Sequence, residues 1–171
     1  DGSVTFAYHD TGIHKADLLA GCYEGDDVPG TNITVDAVSE SDYNALMELS
    51  GQPTFDLPEG EFAVIALSHD SQQAVKNYLK GERTVTLGGQ TLRAHRDGYL
   101  TGALETSTGV GAAEDVIFVL PDEVAAAIPA YRSTISGFYA GDKEAAETAF
   151  LDFVERVGGE IEEGSSIKIY G

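Results

Sequence analysis

The stretch Phe62-Ala63-Val64-Ile65-Ala66-Leu67, running directly into Ser68-His69-Asp70-Ser71-Gln72-Gln73-Ala74-Val75-Lys76-Asn77-Tyr78-Leu79, holds the fold in miniature. Its first part is an unbroken apolar run, of strand length and flanked by turn residues. Such a run suits a central strand buried on both faces. The period then changes. Asp70 with Gln73 reads as a helix N-terminus, and Ala74, Val75, Tyr78 and Leu79 fall on one helical stripe that Gly81 can end. A second strong run, Asp115 to Leu120, leads into Pro121-Asp122, which suits a short helix over residues 122–128.

Working outward, Asn32 to Val38 alternates, with Ile33, Val35 and Ala37 on one side, as a half-buried strand does. Ser39-Glu40-Ser41-Asp42 has a capping-box pattern, Tyr43, Leu46 and Met47 follow at helical spacing, and Gly51 can close the helix. Val4 to Tyr8 alternates weakly as a strand, and residues 9–30, rich in Gly and Asp, read as an irregular excursion. Arg83 to Leu87 and Thr91 to His95 form a hairpin about Gly88-Gly89-Gln90. Tyr131 to Tyr139 reads as a strand. Asp142 opens a helix whose apolar face is Ala146, Phe150, Phe153, Val154 and Val157, with Glu144 and Glu147 favouring its N-terminus and Gly158-Gly159 stopping it. Ser166 to Tyr170 is a last strand. The expectation is an α+β fold: a mixed sheet with helices packed mainly on one face and one hairpin near residues 83–95. It is read as a single domain over residues 1–171, with no internal linker or repeat.

The chain has 171 residues, enough for a real core, and 42% of them are hydrophobic. Acids outnumber bases 29 to 10, giving a net charge of −19. That field repels phosphate backbones and anionic headgroups, which argues against nucleic-acid binding. The acids are spread along the chain, so two readings stand: a solvated surface, or a docking face for a cationic ligand. With one cysteine, Cys22, no internal disulfide can form, which fits the cytosol or a bacterial exterior alike. Leu18-Leu19-Ala20-Gly21-Cys22 resembles a lipoprotein cleavage box, but the polar Ile13-His14-Lys15-Ala16-Asp17 precedes it, so Cys22 reads as a small buried thiol. No apolar run reaches the roughly 18 residues a membrane helix needs. Both ends, at Asp1 and at Ile169-Tyr170-Gly171, read as cut points within a longer protein.

Candidate chemistry is thin. Gly109-Val110-Gly111 leads into a strand instead of following one, has Glu114 in the third glycine position, and stands near Glu105 and Asp115, all wrong for a phosphate loop. His9, Asp10 and His14 are ligand types that zinc accepts, at a spacing that matches no strong pattern. His69 and His95 read as surface or strand residues. Gly-x-Ser-x-Gly is absent, Ser136-Gly137 lies inside an expected strand, and nothing marks Cys22 as activated. No catalytic, cofactor-binding or metal residue is assigned, and the expectation is no enzyme and no cofactor.

One stretch has a family likeness. Val38-Ser39-Glu40-Ser41-Asp42-Tyr43-Asn44-Ala45-Leu46-Met47-Glu48-Leu49-Ser50-Gly51 is followed by a Pro-containing spacer, Phe55-Asp56-Leu57, and Glu59-Gly60-Glu61-Phe62-Ala63-Val64-Ile65. This resembles the S-x-x-D-Y-N-x-L helix, the L-x-G-x turn and the L-x-x-x-E strand lead-in of extracellular domains in FtsX-like (MacB/BceB-type) ABC-transporter permeases of Gram-positive bacteria. Asp115–Pro121, Tyr131–Gly141 and the closing Ser166-Ile167-Lys168-Ile169-Tyr170 are similar to later parts of those domains. The likeness covers residues 33–67 and 115–171, and its motifs are structural. It implies a non-catalytic domain on the extracellular face of the cell membrane that senses or binds an antimicrobial peptide, lipid or lipoprotein. Its partners would be the flanking transmembrane helices and a separate cytoplasmic ATPase. The alternatives are a free-standing hydrolase-like enzyme with a hidden site, and a secreted binding module.

Overall fold

In the computed structural model, residues 2–25, 33–100, 116–138, 143–156 and 169–170 are described. The elements in chain order are β1 (Gly2–His14), α1 (Lys15–Leu18), β2 (Thr34–Ser39), α2 (Glu40–Leu49), β3 (Glu61–Ala66), α3 (His69–Tyr78), β4 (Thr84–Leu87) and β5 (Gln90–Leu100). They continue with β6 (Val116–Leu120), α4 (Asp122–Ala126), β7 (Ala130–Phe138), α5 (Lys143–Arg156) and β8 (Ile169–Tyr170). The strands form one mixed sheet of order β4-β5-β3-β6-β2-β1-β7-β8. The fold is α+β, as the pattern of runs and stripes predicts.

The apolar runs take the centre. β3, β6 and β2 are adjacent, and every residue of β6 is buried. β3 and β6, buried on both faces, have no polar alternation to show, whereas β2 alternates and yet is not half-buried: Val35 to Val38 are all buried, with Asp36 accepting from the Tyr131 hydroxyl. One face carries Val35, Ala37, Phe62, Val64 and Phe118 under the α3 residues Ala74, Val75 and Tyr78 and the α4 residues Val124 and Ala125. Leu19 and Cys22, just after α1, join this face. The other face carries Val38, Ala63, Ile65, Ile117 and Val119 under Tyr43, Leu46 and Met47 of α2. Three short helical elements thus cover one face, and α2 covers the other.

Several boundaries shift for physical reasons. Residues 9–18 are not irregular, whereas 19–25 are turn and bend as expected: β1 runs on to His14, because β2 pairs with it at His9↔Ala37, Asp10↔Asp36 and His14↔Thr34, and α1 follows. The ladder holds polar residues in the strand that their own pattern would not. Residues 26–32 lie outside the described residues. The α3 cap is Ser68, not Asp70: its side chain accepts from the Ser71 amide at 3.2 Å, and the helix begins at His69. The hairpin turn is Gly88-Gly89 alone, with φ of 55° and 77°, a pair of left-handed residues that matches strand twist. Gln90 already belongs to β5, which extends to Leu100. Asp142, Val157 and Gly158-Gly159 lie outside the described residues, as do the side chains of Ala146, Phe150, Phe153 and Val154.

Candidate functional site

The motif helix α2 starts from Ser39, whose hydroxyl accepts from the Asp42 amide at 3.1 Å. In a capping box the second side chain would reach back to the cap amide. Here the Asp42 carboxylate accepts from the Ala7 amide of β1 instead, at 3.1 Å. Glu40 accepts from the Leu57 amide at 3.0 Å. Asn44 takes Phe55 from both sides, donating to its carbonyl and accepting from its amide, each at 2.9 Å. Ser41 donates from its hydroxyl to Asp122 of α4 and from its amide to the same carboxylate at 3.0 Å. The side chains of residues 39–44 therefore pin a strand, a loop and a second helix to α2.

Phe55, held by Asn44, meets the His95 ring edge-on at a centroid distance of 5.4 Å. His95 Nδ1 lies 3.3 Å from Glu61, and Arg93 lies 3.5 Å from the other oxygen of the same carboxylate. Glu61 is largely enclosed, with its side chain 12% exposed, whereas Arg93 is 66% exposed. These groups line a groove of about 300 Å³ with Gly81, Glu82, Ala94 and Arg96. A bulge shapes it. Between Phe62↔Ala94 and Val64↔Tyr99, β3 advances by two residues while β5 advances by five, so β5 bows out over residues 95–98. An imidazole beside a carboxylate is the orienting half of a hydrolase site. The groove's described lining supplies no Ser, Thr or Cys to act as its nucleophile. The arrangement as it stands can bind a charged group.

The residues weighed from sequence are dispersed. His9 is buried and its Nδ1 sits 2.6 Å from the Ile128 carbonyl. Asp10 is exposed and accepts from the Gly12 amide, and His14 is exposed at the end of β1. Among the described residues no group of three or more His, Cys, Asp and Glu could hold a metal. Cys22 is buried beneath α3, where Asn77 donates to its carbonyl at 2.9 Å. His69 is the exposed first residue of α3, and Ser136-Gly137 pair with Val4 and Ser3 inside the sheet. The Gly109-Val110-Gly111 loop, with Glu105, Glu114 and Asp115, lies outside the described residues. The Glu61–Arg93–His95 cluster was missed in sequence because Glu61 stands 32 residues or more from Arg93 and His95, across a parallel pairing. The one available signal was the hairpin's length, which brings Arg93 and His95 beside the start of the apolar strand.

No helix among the described residues is long and apolar enough to cross a membrane. Comparison with protein-family models, with curated proteins and with solved structures finds no match.

Proposed function

We propose that this chain is a non-catalytic extracellular domain of an FtsX-like ABC-transporter permease, one that senses or binds a substrate or partner while a separate cytoplasmic ATPase drives transport. The observation that carries the reading is the bonding of the α2 motif: the residues that carry the family likeness are the ones that hold α2, the 52–60 loop and β1 together.

The net charge of −19 favours a cationic ligand, a peptide or lipid, through its rate of encounter more than its final affinity. Surface proteolysis of intact cells, with the protein tagged within this domain, tests the placement. The domain should be released from outside and its parent should fractionate with the membrane. Protection in intact cells, or recovery in the soluble fraction, rejects the reading. A titration with a cationic peptide at low and high salt tests the ligand class: binding should weaken as salt rises, and salt-indifferent binding counts against it.

A further inference from the structure

The cations of this acidic chain are not spread evenly. Lys76, Lys80, Arg83, Arg93 and Arg96, half of its Lys and Arg, fall between residues 76 and 96, where Glu82 is the single acid. That segment is the end of α3 and the β4–β5 hairpin, at one edge of the sheet. Over that stretch of sequence the count is +4 on a chain of −19, with Asp97 next in the chain and Glu61 of β3 paired with Arg93. Seven strand spacings, roughly 30 Å, separate this edge from β8. Charges are screened over about 8 Å at physiological salt, so a ligand seated here responds to these local charges before the net charge.

β4 is the outermost strand, and among the described residues no strand pairs with its free side. The two-residue turn makes Leu87↔Gln90 the closing pair of the hairpin. That pair exchanges both backbone bonds, and every second pair does likewise. The bond from the Ala94 amide to the Arg83 carbonyl, at 2.9 Å, confirms the phase. Thr84 and Thr86 therefore point their N–H and C=O groups outward. Edges of this kind are commonly blunted by Lys or Pro within the strand. Thr84-Val85-Thr86-Leu87 has neither, and its cations stand beside it. Where β4 gives out opposite Arg93, β5 goes on, and the groove lined by Glu82, Arg93, His95 and Arg96 extends the edge.

We propose that this edge docks an acidic segment of another polypeptide, which adds as an extended strand along β4 and sets its carboxylates against Arg93 and Arg96. Outward backbone groups are satisfied by another backbone. Glu61 and Glu82 in the groove repel a dense polyanion, whereas a strand can space its carboxylates to avoid them. A second copy of this chain would bring its own −19.

The probe is a synthetic octapeptide of alternating Glu and Val, titrated into the isotope-labelled protein at low and physiological salt. Amide shifts should centre on Thr84 and Thr86. Affinity should fall about tenfold in Arg93→Glu/Arg96→Glu. It should fall comparably in Thr86→Pro, which removes an outward N–H and no β4–β5 bond. Arg96→Glu alone leaves the Glu61–Arg93 pair intact and should give part of the loss if the double variant unfolds. Equal binding by a peptide N-methylated at alternate residues overturns the proposal, as does tighter binding of polyphosphate or phosphatidylglycerol vesicles at the same residues. So does dimerisation through β4 without peptide, or an absence of shifts there. None of these outcomes bears on the membrane placement proposed above, which rests on α2 and its bonds to β1 and the 52–60 loop.

Discussion

The two sides of the sheet are made in opposite ways. β4 and β5 meet across two glycines, and their paired residues are three to nine positions apart in the chain. β1 and β7 meet through pairs such as Gly2↔Phe138 and Tyr8↔Arg132, more than 120 positions apart. Closing a short loop costs little chain entropy, while the distant pairing must wait for most of the chain to be placed. The hairpin edge is therefore a local object that a few residues determine. The β1–β7 pairing, just inside the other edge strand β8, depends on everything between. Substitutions can separate these two dependencies.

The largest effect belongs at the centre. Phe118 of β6 is fully buried, and its ring lies 4.7 Å from that of Phe62. Phe118→Ala should cost about 3–5 kcal/mol, measured by urea unfolding. If the sheet is one cooperative unit, amide signals of both sides vanish in one transition. Hairpin signals that outlast those of β1 would show that the local edge stands alone.

The turn comes next. Gly88 and Gly89 both have positive φ, so alanine at either pays a left-handed penalty of about 1 kcal/mol or more. At Gly89 the added Cβ meets nothing within 4 Å. At Gly88 it would lie 2.9 Å from the Ala127 Cβ and 3.3 Å from the Val124 carbonyl, so the hairpin would have to leave α4. Gly88→Ala should therefore destabilise by about 2–3 kcal/mol and Gly89→Ala by about 1 kcal/mol. Faster amide exchange in either variant should be confined to β4, β5 and α4. Acceleration that reaches β1 and β7 would refute the claim that the edge is local.

Asn44→Ala tests the link between α2 and the hairpin edge. It removes both bonds to Phe55, the residue that packs on His95. The loop is half-buried, so water can replace part of what is lost, and the cost should be about 1–2 kcal/mol. His95 ring resonances should move while those of β1 stay. Unmoved His95 signals would mean that Phe55 does not transmit from α2 to β5.

The same contrast explains what could be read from the sequence. The central strands, the α2 cap at Ser39 and the diglycine turn each rest on residues within about ten positions of one another, and all were legible. β1 beyond Tyr8 was not, because Asp10-Thr11-Gly12 has no strand pattern of its own and becomes strand only through β2. Asp70 masked the true cap because it too is a good capping residue, and only the point where β3 ends selects Ser68. The Glu61–Arg93–His95 groove needed the parallel β3–β5 register and its bulge, neither of which leaves a periodic trace.

The smallest effect concerns the side chain that anchors the basic edge. Tyr78 is buried on α3, and the Arg83 guanidinium sits over its ring at 5.0 Å. Burial pushes its phenol up to about 12; Arg83 pulls it down and Cys22 adds a further push upward. The unfolded chain, with an ordinary phenol near 10, gives up the proton first as pH rises. The folded state thus holds the proton more tightly, so its advantage is intact below about pH 10 and is lost progressively between pH 10 and 12. Burial raises Tyr43 in the same direction, but on the α2 face. Tyr78→Phe keeps the ring beneath Arg83 and removes the ionisation, so its urea midpoint should fall less between pH 9 and 11.5 than that of the parent. The hairpin amides should benefit first, because Arg83, which also donates to the Tyr78 carbonyl at 3.1 Å, ties β4 to this helix. Tyr43→Phe should spare the α2 face without that preference. If both variants lose stability as steeply as the parent, the buried phenols do not set the alkaline limit, and the two faces cannot be told apart by pH.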